Sequence, residues 1–213
     1  MKNKGLLITI EGIHGAGKTT ISRMLVQKLK EMGIKVIFSV DQAGTELGKK
    51  IRKINLQEKY SVDILTEALL VAAARRQNIV EVIKPNLSQG KIIISERYAD
   101  AYFAFQGFAR GLPQDFLERI SLTITEGIEP DLTILLDLNP KIALSRLKSC
   151  QMHRIEKEPI EFHEKVRRGY IEHAKKFPKR IKIIDASRPI KVVFSGVWSK
   201  VKNLLVSKGV IKC

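Results

Sequence analysis

The stretch Gly12-Ile13-His14-Gly15-Ala16-Gly17-Lys18-Thr19 decides the fold. It fits the spacing glycine, four free positions, glycine, lysine, then serine or threonine. An apolar run, GLLITIE (5–11), leads into it. A helical pattern with apolar residues at Ile21, Leu25 and Leu29 leads out. A strand, a glycine-rich turn and a helix in that order make a cradle for phosphate. The glycines let successive backbone N–H groups turn inward around phosphate oxygens. The helix beginning near Gly17 adds its positive end. Lys18 has the reach for the β- and γ-phosphates, and the Thr19 hydroxyl is placed for Mg2+. Gly12, His14, Gly15, Ala16, Gly17, Lys18, Thr19 and Thr20 are therefore the expected contacts of a nucleoside triphosphate.

Four more apolar runs share the character of the first: KVIFSV (35–40), KIIISE (91–96), LTILLDL (132–138) and IKIID (181–185). Continuous rather than alternating apolar character means that both faces are covered, as in a parallel sheet. Helical stretches are predicted between them at 18–32, 46–54, 62–87, 114–127, 141–148, 160–176 and 192–206. Strand–helix alternation predicts a doubly wound α/β fold with right-handed crossovers. We read residues 1–213 as one domain with no repeat and no linker. The segment 149–159, SCQMHRIEKEP, is polar and lacks apolar periodicity, which marks it as a mobile lid. Trp198 and the stripe Val193, Val197, Val201 and Leu205 are expected in the core.

Composition narrows the functional classes. The chain has 213 residues, with 38 Lys and Arg against 22 Asp and Glu, a net charge of +16. Such a balance points to an anionic partner without saying which: nucleic acid, nucleotide phosphate or acidic lipid. The basic residues are spread along the chain and lack the interleaved aromatics of single-strand binders. A nucleic-acid-binding ATPase therefore rests on charge alone. Two cysteines, Cys150 and Cys213, exclude a disulfide scaffold and a four-cysteine zinc module. Cys150 is read as a free thiol. No apolar run approaches about 18 residues, and the start MKNKGLLITIEG does not read as a signal peptide. A soluble, cytoplasmic protein is expected.

Two further clusters carry chemistry. Ser95-Glu96-Arg97-Tyr98 ends the third apolar run, at the edge of a parallel sheet where ligands bind. There Glu96 is placed to hold magnesium and Arg97 to grip a second phosphate. Phosphoryl transfer also needs positive charge on the transferred group. No Arg or Lys lies between Gly12 and Gly17, so Arg146, Lys148 and Arg154, in or beside the lid segment, are the expected source. Lys18, Arg97, Arg146 and Arg154 are thus the expected catalytic cations. His153, His163 and His173 lack metal-ligand spacing and are read as surface or hydrogen-bonded histidines. The stretch 175–180, KKFPKR, is read as a solvated helix end, and Asp137 as either an orienter of magnesium-bound water or a turn residue.

Taken together, these motifs resemble the thymidylate kinase family of nucleoside monophosphate kinases. The resemblance runs through IEGIHGAGKTT (10–20), GTELGKKIR (44–52), AAAR (72–75), SERYADAYFAFQG (95–107), EPDLTILLDL (129–138), RIE (154–156), VRRGY (166–170) and IDAS (184–187). It implies transfer of the ATP γ-phosphate to thymidylate (dTMP), with Mg2+, in a five-stranded sheet of order 2-3-1-4-5. It also implies a homodimer. Position by position, it puts Arg97 on the acceptor phosphate, Arg75 on the thymine edge, and Phe105 and Gln106 beside the nucleoside. Arg146, Ala186 and Arg188 fall near the adenine, and Arg154 on the lid. Five departures stand out: Glu96 for an aspartate, His14 for a carboxylate, Val40-Asp41-Gln42-Ala43-Gly44-Thr45 for an arginine-bearing loop, Val71 for a stacking phenylalanine, and Tyr102 for a small or polar residue. Tyr102 is accordingly expected either to supply a compensating stacking surface or to reshape the pocket for another base. The departures keep open a kinase for another pyrimidine or deoxynucleoside monophosphate.

Overall fold

The computed structural model describes residues 5–57, 59–147 and 153–212. Five parallel strands form one sheet: β1 (Leu6–Glu11), β2 (Val36–Val40), β3 (Ile92–Glu96), β4 (Leu132–Asp137) and β5 (Ile181–Asp185). Their order is β2-β3-β1-β4-β5, the order that the family resemblance implies. The central strand β1 is buried along its whole length, because helices cover both sheet faces. Register brings Ile10 beside Glu96 and Ile134, so the carboxyl ends of β1, β3 and β4 open on one edge.

Around the sheet lie α1 (Lys18–Glu31), α2 (Glu46–Leu56), α3 (Ile64–Asn78), α4 (Lys84–Ser88), α5 (Ala99–Tyr102), α6 (Gln114–Thr125), α7 (Pro140–Leu147), α8 (Ile160–Lys176) and α9 (Ile190–Ser207). Helix α1 starts with the turn that Gly17 makes in a left-handed conformation. Helix α9 presses Val193, Val197, Val201 and Leu205 into the main core, with Trp198 packed partly buried at its margin.

One expectation is corrected. The single helix expected over 62–87 is α3, a widened π-turn at 79–83, then α4. The wide turn ends just before Pro85, whose ring and missing N–H disfavour an ordinary α-turn there. A second π-turn, Phe103–Ala109, continues α5. The described part of the lid segment is ordered: Arg154–Lys157 form a short 3-10 helix, capped reciprocally by His153 and Glu156, with Ile155 buried. Residues 149–152 of that segment, with Cys150, and also Lys148 and Cys213, lie outside the described residues.

Candidate active site

The cradle is built by backbone strain that only glycine relieves. Gly12, Gly15 and Gly17 all have positive φ, at 138°, 79° and 90°. A Cβ on Gly12 would meet the Leu136 carbonyl at 2.5 Å, and one on Gly15 the Ala143 carbonyl at 2.4 Å. The turn is thus pressed between β4 and α7. Lys18 is buried and donates from Nζ to the Ile13 carbonyl at 2.8 Å, folding back across its own loop. Burial, helped by the charge of Arg97, pulls its ammonium down to about 7. An ammonium so deprived of water favours an anion beside it. Thr19 and Thr20 are exposed on the first turn of α1, and Ala16 is buried beneath the loop.

Across the sheet edge, Arg97 follows β3 with φ 68°, an uncommon conformation for a residue with a Cβ. Its own N–H donates to the Ile10 carbonyl, and the N–H of Tyr98 donates to Glu11 Oε1 at 2.7 Å. The guanidinium donates from Nη1 to the Tyr170 hydroxyl at 2.8 Å and lies 4.9 Å from the Phe105 ring. Tyr170 in turn donates to Glu11 Oε2 at 2.8 Å. Arg97 Nη2 is buried without a partner. Lys18 and Arg97 line the same cavity, and Glu96 and His14 share it.

Thr19 Oγ1 donates to Glu96 Oε2 at 2.7 Å. A hydroxyl and a carboxylate meeting at the mouth of a phosphate cradle supply the oxygen ligands that a hard divalent cation takes. Among the described residues no three His, Cys, Asp or Glu side chains form a metal cage of their own. Such a pair fits an ion shared with phosphate, as Mg2+ is when it rides on a nucleotide.

The same cavity is also lined by Val71, Arg75, Phe105 and Gln106. Arg75 is buried and grips Asp41 with both arms, Nε to Oδ1 at 2.8 Å and Nη2 to Oδ2 at 2.7 Å. Gln106 donates from Nε2 to Glu67 Oε1 at 3.0 Å. His14 sits edge-on to Phe105, with Nδ1 buried and unpartnered. Burial and the neighbouring Arg97 and Lys18 push its pKa well down, so it stays neutral.

The structure brings most of the expected residues together, but not all. Tyr102 is fully buried behind Arg75, its hydroxyl donating to the Ala68 carbonyl, and it does not line the cavity. The expected stacking surface is therefore absent there. Arg154 is docked away from the cradle, on Glu67 at 2.6 Å and on the Asn55 carbonyl at 3.2 Å. Arg146 reaches from α7 to the Gly15 carbonyl at 3.4 Å and the Ala186 carbonyl at 3.3 Å, closing the side of the cradle. Ala186 is buried, whereas Arg188 is exposed and pairs with Asp185. Asp137 forms a two-armed pair with Arg167. The 175–180 stretch is not all solvated, because Arg180 turns inward to Asp100.

Sequence reading missed Glu11, Arg52, Glu67 and Tyr170. Arg52 lines the cavity from α2, where it supplies a cation on the side that lacks the loop arginine. A charged residue closing a mostly apolar strand, as Glu11 does, was the available signal for the first. Tyr170 lies in a helix whose facing cannot be read without its packing.

Comparison with known proteins agrees with this geometry. The family described as thymidylate kinase matches residues 10–197. A thymidylate kinase of Geobacillus sp. (strain WCH70) is 42% identical over 196 residues, covering 90% of this chain and 93% of its own. That of Anoxybacillus flavithermus is 40% identical over 204 residues, covering 94% and 98%. That of Symbiobacterium thermophilum is 37% identical over 201 residues, covering 94% of both. With a phosphate cradle, a facing arginine and a match across nearly its whole length, this chain belongs to the thymidylate kinase family.

Proposed function

We propose that the protein transfers the γ-phosphate of ATP to dTMP, giving ADP and dTDP. One observation carries the reading: Lys18, at the end of the glycine cradle, and Arg97, at the end of the neighbouring strand β3, line one cavity. Two phosphorylated molecules held by these cations meet end to end. An oxygen of the acceptor phosphate forms the new bond to the γ-phosphorus, and the bond to the β–γ bridging oxygen breaks. The acceptor oxygen is already ionised at neutral pH, so no general base is needed. The protein's part is positioning and charge neutralisation.

In this reading Lys18, the loop amides and Arg146 hold the donor, with Ala186 and Arg188 near the adenine. Thr19 and Glu96 hold Mg2+, which when bound draws negative charge from the phosphate oxygens. Arg97 and Arg52 orient the acceptor phosphate. Arg75, Phe105 and Gln106 meet the base, and Val71 adds an apolar wall. Arg154 acts after leaving Glu67, when residues 149–159 close as a lid within a single 1–213 domain. Family membership supports a cytoplasmic homodimer. Exposed apolar side chains on α3 and α6, Leu65, Leu69 and Leu122, support a partner surface. No helix among the described residues is long and apolar enough to cross a membrane.

The test is ADP release with ATP, Mg2+ and dTMP. Lys18→Ala and Arg97→Ala are each expected to lower kcat by about 10³-fold or more, by the scale of lost phosphate-clamping cations. Turnover within tenfold of the parent in both would refute the assigned roles.

A further inference from the structure

The lining of the cavity presents two polar groups whose direction is set by buried carboxylates. Arg75 spends Nε and Nη2 on Asp41, and both side chains are buried, at 0% and 1% exposure. The ring of Tyr102 lies 5.2 Å from the guanidinium and backs it. Only Nη1 is left, buried and without a partner in a residue that lines the cavity. Gln106 is fixed in the same manner. Its amide meets the buried carboxylate of Glu67, which also pairs with Arg110 at 3.1 Å and Arg154 at 2.6 Å. A carboxylate held by two guanidiniums only accepts, so the Gln106 amide must turn its NH2 to it. The atom of the amide left unengaged is the carbonyl oxygen.

The geometry points to Asp41 and Glu67 as positioning residues that fix the hydrogen-bonding polarity of the base-reading residues, one donor from Arg75 and one acceptor from Gln106 in the lining of one cavity. The complement of that pair is a lactam edge, a ring carbonyl beside a ring N–H. Thymine and uracil carry it at positions 4 and 3, and guanine carries it at 6 and 1. Cytosine and adenine present the reverse, an amino group beside a ring nitrogen acceptor. Facing this wall, cytosine would set donor against donor and acceptor against acceptor. Buried polar groups left in that state make a site reject a ligand far more strongly than a missing methyl does. The methyl that separates dTMP from dUMP can gain only by apolar contact, a contribution of about tenfold to two-hundredfold.

This inference rests on the phosphoryl-transfer reading, and one experiment separates the two. Steady-state kcat/KM is measured with ATP and Mg2+ for dTMP, dUMP, dGMP, dCMP and dAMP, first with the unmodified protein. The expected result is a dTMP to dCMP ratio of about 10³ or more, with dUMP ahead of dCMP. The dGMP arm tells whether the wall accepts any lactam edge or, with the cavity's size, only a pyrimidine. Glu67→Gln gives the Gln106 amide a partner that donates as well as accepts, freeing it to turn. Asp41→Asn loosens the fork on Arg75. Each variant is expected to lower the dTMP to dCMP ratio at least tenfold without a matching fall in dCMP turnover. General damage would instead lower both substrates together. If Asp41→Asn does not fold, Glu67→Gln carries the comparison. A parent that uses dCMP within tenfold of dTMP overturns the inference and leaves the kinase reading standing, as do folded variants that keep the parent ratio. A parent that phosphorylates none of the five overturns both.

Discussion

Glu11 shows how one side chain at the strand end joins stability to the site. It accepts from the Tyr98 N–H and the Tyr170 hydroxyl, and so braces Arg97 from both its backbone and its side chain. Burial, with Asp100 nearby, pushes its carboxyl from 4.5 up to about 8, although Arg97, Tyr170 and Tyr98 pull the other way. In the unfolded chain the group ionises near 4.5. Between those values the folded protein keeps a proton that the unfolded chain has released. Stability therefore falls as pH rises through that window, by at most about 1.4 kcal/mol per unit. Below the window both states hold the proton, and above it neither does. Glu11→Gln removes this slope. Urea unfolding at pH 5, 6 and 7 is expected to show the parent losing about 1–3 kcal/mol relative to the variant as pH rises. A difference that does not change with pH would contradict the assignment. The deciding partners of Glu11 lie up to 159 residues away in sequence, which is why strand patterning did not single it out.

At the scale of elements, the phosphate cradle rests on three glycines with different obligations. Gly17 has φ 90° but open space where a Cβ would go. Gly17→Ala should therefore cost only the left-handed strain, about 1–2 kcal/mol. Gly12→Ala and Gly15→Ala add a collision with backbone carbonyls of β4 and α7 to the same strain. They are expected to cost more and to raise the KM for ATP, because the loop must shift to make room. Thermal melts together with ATP titrations check the rank order, and a more damaging Gly17→Ala would reverse the argument. Helix α8 is held close in a related way. A Cβ on Gly169 would come within 2.7 Å of Phe108 on the second π-turn. Gly169→Ala is expected to displace α8, and with it Tyr170, so the acceptor KM should rise. An unchanged KM in a folded variant would show that Tyr170 tolerates the shift.

For the whole molecule, the open question in solution is assembly. Leu122, 66% exposed on α6, and Leu65 and Leu69 on α3 give apolar surface to two helices that pack together. If these helices join two copies of the chain, Leu122→Glu should convert a dimer of this 24.1 kDa chain to a monomer in size-exclusion chromatography with light scattering. A dimer that persists would move the contact elsewhere. The parallel sheet and the phosphate cradle were legible in the residues, because each follows from short-range pattern: continuous apolar runs, helical spacing, and glycines at fixed offsets beside a lysine; the strand order came only with the family resemblance. The base-reading wall was legible only in part. Arg75, Phe105 and Gln106 could be placed by resemblance, but their directions are set by Asp41 and Glu67, 34 and 39 residues from the side chains they hold. Tyr102 was expected in the cavity, yet the facing of α5 turned it behind Arg75. Arg154 was expected over the cradle, yet a carboxylate 87 residues away holds it elsewhere. Local sequence determines which backbone conformations and which apolar faces are favourable. Which buried carboxylate meets which cation depends on distances that exist only once the helices have packed on the sheet.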